Sequence, residues 1–204
     1  MKRTATILIF LLALCQTIHG QEDRSLFAFG VKWGYSAQLF DAHKLVYRDD
    51  YGSLVSDQGA GFSFAGNGYI LADFGFNISM KSRISVLSGF EGIAGNRGEI
   101  PIQLRYSLAT KGYNQDGSLF FAGVGTGLPV DAKATAPSFC GLIGGGYRLS
   151  LGKRMSIDLT GSFKLTFDRP GIPDKSTGRY VPVSSIQRNN AMYASLSIGL
   201  GVNF

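Results

Sequence analysis

The 204-residue sequence predicts an all-β chain, an eight-stranded antiparallel transmembrane up-and-down β-barrel, on three observations. Eight segments alternate bulky apolar residues with small or polar ones at period two. Most run about 9 to 14 residues, against the roughly 9 to 11 with which a tilted strand crosses a bilayer and the roughly 5 or 6 of a typical soluble strand. The face opposite the bulky residues is mostly Gly, Ala, Ser, Thr and Asn with about one charge per segment, which suits the crowded inside of a narrow barrel. A soluble β-sandwich alternates in the same way and is the competing architecture; the two differ in which face is wet.

The first segment, "LFAFGVKWGYSAQLF", sets Phe27, Phe29, Val31, Trp33, Tyr35 and Leu39 against Ala28, Gly30, Lys32, Gly34, Ser36 and Gln38. The second, "YILADFGFNISM", sets Ala72, Phe74, Phe76, Ile78 and Met80 against Asp73, Gly75, Asn77 and Ser79. After "KSR", the third runs from Ile84 to Ile93 with Glu91 on its polar side. The fourth, "IPIQLRYSLA", opposes Ile100, Ile102, Leu104, Tyr106 and Leu108 to Pro101, Gln103, Arg105 and Ser107. Two glycine-rich segments follow, Leu119 to Leu128 and Phe139 to Leu149. The seventh, "MSIDLTGSFKLTF", alternates Met155, Ile157, Leu159, Phe163, Leu165 and Phe167 with Ser156, Asp158, Thr160, Ser162, Lys164 and Thr166. The eighth, Ala191 to Phe204, finishes in "SIGLGVNF", still alternating at a position where most chains are polar and loose.

Connections alternate in length. "KSR", "TKGYNQDGS" and "SLGKR" are the short turns expected on the periplasmic side, and Asp41 to Gly68 and Asp168 to Asn190 are the long outward loops. "AGNRGE" and "PVDAKATAP" are short for the outward side. Phe27, Phe76, Tyr106, Tyr147 and Phe204 collect near the periplasmic ends, where aromatics mark a membrane interface.

Residues 1–20 read as a secretory signal peptide, since Lys2 and Arg3 precede the apolar run Ile7 to Leu14 and Gly20 offers a small residue before Gln21. Eight apolar residues are too few for a helical span, which takes about 20. The alternative, a lipoprotein box at "LALC" with Cys15 lipidated, has Leu14 where a small residue belongs. The exported domain is then residues 21–204. The leader carries two of the 20 basic residues and none of the 14 acidic ones, so the domain keeps a modest positive excess, and with no basic stripe or nucleic-acid module it predicts no nucleic-acid partner. Cys140 is left as its one cysteine, which excludes an internal disulfide.

By parity Lys32, Arg105, Arg148 and Lys164 point inward with Asp73, Glu91 and Asp158. Charges in so narrow a lumen are tolerable when paired or hydrated, so they are expected to form a network that plugs the barrel. On these segments the chain resembles the small eight-stranded outer-membrane β-barrel proteins of Gram-negative bacteria, of the OmpX and OmpA-barrel kind. More closely it resembles the outer membrane protein beta-barrel domain family with its PorT-like members. The sharp motif is the C-terminal pattern on Ser197, Gly199, Val202 and Phe204. The resemblance implies that this strand is read by the barrel-assembly machinery during insertion, and that the location is the outer membrane.

Sites for chemistry are sparse. His43 is the exported chain's single histidine, near Asp41, Asp49 and Asp50 in the first long loop, so a rim-site general base is weighed against a solvated loop histidine, and the second is preferred. "GVGTG" and "GLIGGG" lack the Lys-Ser/Thr pair and the strand-to-helix context of a phosphate loop and read as strand glycines. One histidine and one cysteine about a hundred residues apart are no metal ligand set, and no cofactor is expected. Arg169, Lys175, Arg179 and Arg188 in the last long loop suit contacts with lipopolysaccharide phosphates, against the plainer reading of a loop kept soluble by charge. The expectation is a monomeric, non-enzymatic barrel in contact with outer-membrane lipids, its loops displayed outward. The alternatives are a small-solute channel and a lipid A-modifying rim-site enzyme.

Overall fold

The structure, a computed structural model, describes residues 26–94, 97–130, 136–152, 155–174 and 177–204. The expected leader over residues 1–20 lies outside them. Eight strands follow in chain order: β1 Phe27–Arg48, β2 Leu54–Asn77, β3 Ser82–Ile93, β4 Arg97–Ala109, β5 Gly117–Pro129, β6 Ser138–Ser150, β7 Ser156–Asp168 and β8 Ile186–Asn203. A single 3-10 turn, Val183–Ser185, precedes β8. Each strand pairs antiparallel with the next and β8 returns to β1, so the order runs round a ring.

The two faces of the ring differ as the alternation requires. In β7, Asp158 is 0% exposed and its neighbour Leu159 is 60% exposed. Along β4, buried and exposed residues alternate without a break from Glu99 to Ala109. Phe29, Phe74, Leu104, Ile143, Leu159 and Ile198 are among the large apolar side chains left exposed, while Lys32, Asp73, Glu91, Arg105, Arg148 and Lys164 are buried inside. A water-soluble core has the opposite distribution.

Two expected loops are corrected. Asp41 to Gly68 is not a loop: β1 and β2 run on as a hairpin from Phe27↔Phe76 to Arg48↔Leu54. Gly52, at φ 83°, makes the turn; the Asp49 carboxylate accepts the amides of Tyr51 (3.0 Å) and Ser53 (2.7 Å). The alternation was hidden by a register shift between Gln38 and Phe40, which breaks its phase in β1, and by the glycines that thin it in β2. Phe62 and Phe64 still carry it. At the other connection β8 begins at Ile186 rather than Ala191, and the intervening segment is shaped by a Pro173↔Tyr180 bridge.

Smaller corrections concern strand ends. β2 stops at Asn77, so Ile78 and Met80 fall in a turn where the Ser79 hydroxyl accepts the amides of Lys81 (3.2 Å) and Ser82 (3.0 Å). β3 starts at Ser82, which moves Arg83 from the expected turn into the wall.

The ring's rim is uneven. β2 pairs with β3 only over Tyr69–Asn77 but with β1 up to Leu54, and β8 follows β1 to Tyr47↔Ile186. The upper parts of β2, β1 and β8 therefore form a three-stranded sheet standing above the rest. The β7–β8 connection packs on it: Ile172 and Val181 bury against Tyr47, with Leu45, Val55 and Ile186 alongside. The Asp50 amide donates to Asp174 Oδ2 and the Thr177 hydroxyl to Asp50 Oδ2, both at 2.9 Å.

Candidate functional site

The interior of the ring gathers the charged residues in three tiers. Nearest the short turns, the Arg148 guanidinium donates through Nε and Nη2 to the two oxygens of Asp158, each at 2.6 Å. This two-point geometry is the strongest form of the pair. Asn203 adds a third bond to Asp158 at 3.0 Å. Tyr113, from the β4–β5 turn, folds into the ring, and its aromatic ring contacts Arg83 (4.0 Å to the centroid) and Arg148 (4.6 Å). Burial pushes its phenol up to about 12, against the lowering pull of the two guanidiniums. Arg83 also donates to Asn77 Oδ1 at 2.7 Å. Ala109, Leu119, Phe121 and Leu142 pack beside Tyr113 as an apolar cluster within the ring.

In the middle tier Lys32 pairs with Asp73 at 2.6 Å, and Arg105 lies over the Phe121 ring at 4.5 Å. Beside Lys32 on the same wall, Gly34 and Gly199 face each other across the β1–β8 seam. A Cβ at either position would collide with the Tyr69 hydroxyl, so these glycines make room for a tyrosine that lies over β1 and reaches from β2 to β8 along the inner wall.

In the upper tier Lys164 Nζ lies 2.6 Å from Glu91 and 3.9 Å from Glu99. Because β3 and β7 stand four places apart in a ring of eight, the Lys164–Glu91 pair spans its full width. Gln103 donates to Glu91 at 3.4 Å and the Ser138 hydroxyl to Glu99 at 2.7 Å. Arg97 and Asp168 close the tier as a further ion pair between β4 and β7.

All seven inward charges read from the sequence thus lie inside the ring. Reading the sequence alone missed Arg83, Arg97, Glu99 and Asp168, which lie beyond the ends of the segments taken as strands. The signal was present: Glu99 and Arg97 continue the inward parity of Pro101, Arg83 that of Ser85 and Asp168 that of Thr166. An isolated ion in such surroundings costs several kcal/mol or more; nine of these eleven charges lie in ion pairs, while Arg83 and Arg105 are set against the rings of Tyr113 and Phe121.

Of the four residues in the terminal pattern, Ser197 points inward and donates to the Ser36 hydroxyl at 3.0 Å, Gly199 sits under Tyr69, and Val202 faces away from the interior. Phe204 is fastened by its backbone: its amide donates to Phe29 O at 2.7 Å and its carbonyl accepts the Phe29 amide at 3.3 Å. Its side chain remains exposed.

Around the rim, Arg169, Arg179 and Arg188 are exposed, at the exit of β7, beside the Pro173↔Tyr180 bridge and on β8 respectively. Lys175 lies outside the described residues. His43 is on β1 and not in a loop. Its Nδ1 lies 3.3 Å from Asp41 and its Nε2 3.7 Å from Asp57. Asp49 and Asp50, expected beside it, instead shape the hairpin tip and tie it to the β7–β8 connection. Asp57 was missed because a loop has no register, and it is the β1–β2 pairing that brings it beside His43. Among the described residues, no three His, Cys, Asp or Glu side chains are arranged to hold a metal ion.

No protein-family model and no curated protein matches the sequence. The structure is similar to that of the outer membrane protein OprG from Pseudomonas aeruginosa, with a TM-score of 0.51, 12% identity, and coverage of 87% of this chain and 95% of that one. It also aligns with the N-terminal β-barrel domain of Pseudomonas aeruginosa OprF, with a TM-score of 0.41, 10% identity, and coverage of 86% and 97%. The first likeness shows a fold shared with a known outer-membrane β-barrel protein.

Proposed function

We propose that the ring is a transmembrane up-and-down β-barrel of the outer membrane, delivered by a leader over residues 1–20. We assign it no enzymatic role: its interior is largely plugged, and its outward end binds a partner or ligand. The observation that carries this reading is the inversion of the two faces. The outer wall is a belt of exposed Phe, Leu, Ile and Val, while the inside is filled with paired ions and small polar residues. Hydrocarbon solvates the first, and only internal pairing tolerates the second. A ring with no open edge in its lower wall also leaves no unpaired backbone in lipid.

The plug rests on side chains that reach across the interior, Lys164 to Glu91 and Arg97 to Asp168, and on two that fill it from the wall and the turn, Tyr69 over Gly34 and Gly199 and Tyr113 against two arginines. In this reading Ser197, Gly199, Val202 and Phe204 form the strand recognised by the barrel-assembly machinery, and Arg169, Lys175, Arg179 and Arg188 meet lipopolysaccharide phosphates at the rim. The deciding experiment is planar-bilayer conductance of the purified, refolded protein. No resolved channel is expected; a steady open conductance would replace the plugged barrel by a small-solute channel. Deleting Phe204 is expected to lower the folded yield in outer-membrane fractions, read by heat-modifiable gel mobility, and a normal yield would remove the assembly role.

A further inference from the structure

We propose that the upper part of β2 is a docking edge for an extended segment of a different polypeptide, which adds to the β2–β1–β8 sheet as a fourth strand. The inference rests on reading this end of the ring as outward-facing. Backbone phase supplies the first support. At the foot of β2, Ile78 N–H donates to Ser82 O on the β3 side (3.0 Å), whereas Asn77 N–H donates to Leu26 O on the β1 side (2.9 Å). These directions alternate along a strand, so even-numbered residues of β2 serve β3 and odd-numbered ones serve β1. The top agrees, since Ser53 O, an odd position, accepts the Asp49 amide from β1's side of the turn. Above Gly68, pairing with β3 ends. The main-chain groups of Gln58, Ala60, Phe62 and Phe64 therefore point away from β1 towards a side where, among the described residues, no strand is paired with them.

Composition supplies the second. Long edges are ordinarily guarded by Lys, Pro, inward charges or a covering segment. From Leu54 to Gly68 there is no Lys, Arg or Pro, and the one charged residue is Asp57. Phe62 and Phe64 lie on one face beside this edge, 86% and 82% exposed. A strand laid along the edge brings its own side chains within about 5 Å of them. The template is also rigid before binding, because Tyr47, Ile172 and Val181 buttress the sheet from its other face, which reduces the ordering cost of association.

The geometry selects the occupant. Two copies in one membrane share a two-fold axis along its normal. With strands tilted by about 35–45°, that axis sets their β2 edges crossing at about twice the tilt, neither parallel nor antiparallel. A second copy in the same membrane is thereby excluded from pairing. The fitting partner is an extended segment alternating apolar and uncharged polar residues, with a basic residue where it passes Asp57, bound by backbone hydrogen bonds as in other β-augmented complexes.

The test uses a synthetic peptide of about twelve residues alternating Val with Thr and carrying one Lys near one end, added to the full exported chain refolded in detergent. Hydrogen exchange is expected to slow at least ten-fold at the amides of Gln58, Ala60, Phe62 and Phe64. Ala60→Pro and Phe64→Pro, which remove edge-facing N–H groups only, should weaken peptide binding at least ten-fold with folded gel mobility retained. Should either proline variant misfold, Ala60→Lys and Phe64→Lys guard the same edge and should give the same loss. Unchanged exchange at those four amides, equal binding by the guarded variants, or protection that rises with protein concentration in the absence of peptide would each overturn the proposal. Labelling of Gln58→Cys on intact cells by a membrane-impermeant maleimide reports the orientation separately. Failure there overturns the outward placement, while the exchange result still reads the edge itself.

Discussion

β2 is one strand in two surroundings. Below Gly68 it has a neighbour on each edge, Ile70 and Phe74 outside and Leu71 and Asp73 inside. Above Gly68 it has one neighbour, and its outward residues thin to Leu54, Phe62 and Phe64 among Ser56, Gln58, Ala60 and Gly66. The backbone pattern is continuous, yet the chemistry of the outward face changes where the second neighbour is lost. Period-two alternation therefore marks a strand, and it is the filling of both faces that marks a membrane wall.

Changing charge on the two faces of the wall and on the tall sheet sharpens this contrast. The largest loss is expected inside the wall: Asp158→Ala leaves Arg148 buried without its two-point partner and should lower stability by about 3–5 kcal/mol, read by urea unfolding of protein refolded in vesicles. A loss below about 1 kcal/mol would mean that water reaches the pair. One residue away and on the opposite face, Leu159→Arg places a cation in hydrocarbon and should cost about 2–4 kcal/mol near the midplane. An unchanged unfolding midpoint in bilayers would put this face out of the membrane.

Smaller effects probe packing and the upper hairpin. Gly199→Ala drives a methyl into Tyr69 and the opposing β1 backbone, with an expected cost of about 1–3 kcal/mol in the same vesicle assay. If Tyr69→Ala in the same chain restores none of that loss, the tyrosine is not what the glycine accommodates. Least affected should be Ser56→Arg, on the outward side of the tall sheet, within about 0.5 kcal/mol of the parent. A penalty there comparable to that of Leu159→Arg would lower the whole hairpin into the bilayer and dissolve the distinction between the two halves of β2.

Where side chains alternate without interruption, as in the bodies of β4 and β7, the strand, its two faces and the burial of Arg105, Asp158 and Lys164 were legible in the sequence. Legibility failed where alternation changed phase. The shift beside Leu39 turned Asp41, His43 and Tyr47 to the face opposite the one a simple count assigns, and between Gly59 and Gly68 only Phe62 and Phe64 stand among small residues, too few bulky markers to reveal β2. Arg97 and Asp168 were missed for another reason: a polar residue at a strand end looks the same in a linear sequence whether it turns into the ring or out to solvent. The pairing of Lys164 with Glu91 was beyond reach, since partners across a ring depend on strand stagger, which no local pattern encodes.

The seam between β1 and β8 has a kinetic consequence. Phe204 bonds to Phe29, and the pairing from Gly30↔Asn203 to Tyr47↔Ile186, with register shifts at Gln38/Phe40 and Val46/Tyr47, joins the two ends of the described chain in one long seam. Neighbouring hairpins such as β6–β7 close short loops, whereas this ladder must overcome the loop entropy of nearly the entire polypeptide before it returns any bond. All eight strands can therefore zip in sequence through seven pairings and still leave two long unsatisfied edges waiting for each other. Closure of that one seam carries the largest loop-entropy cost of the eight pairings, and a factor that holds β1 and β8 together acts on that cost.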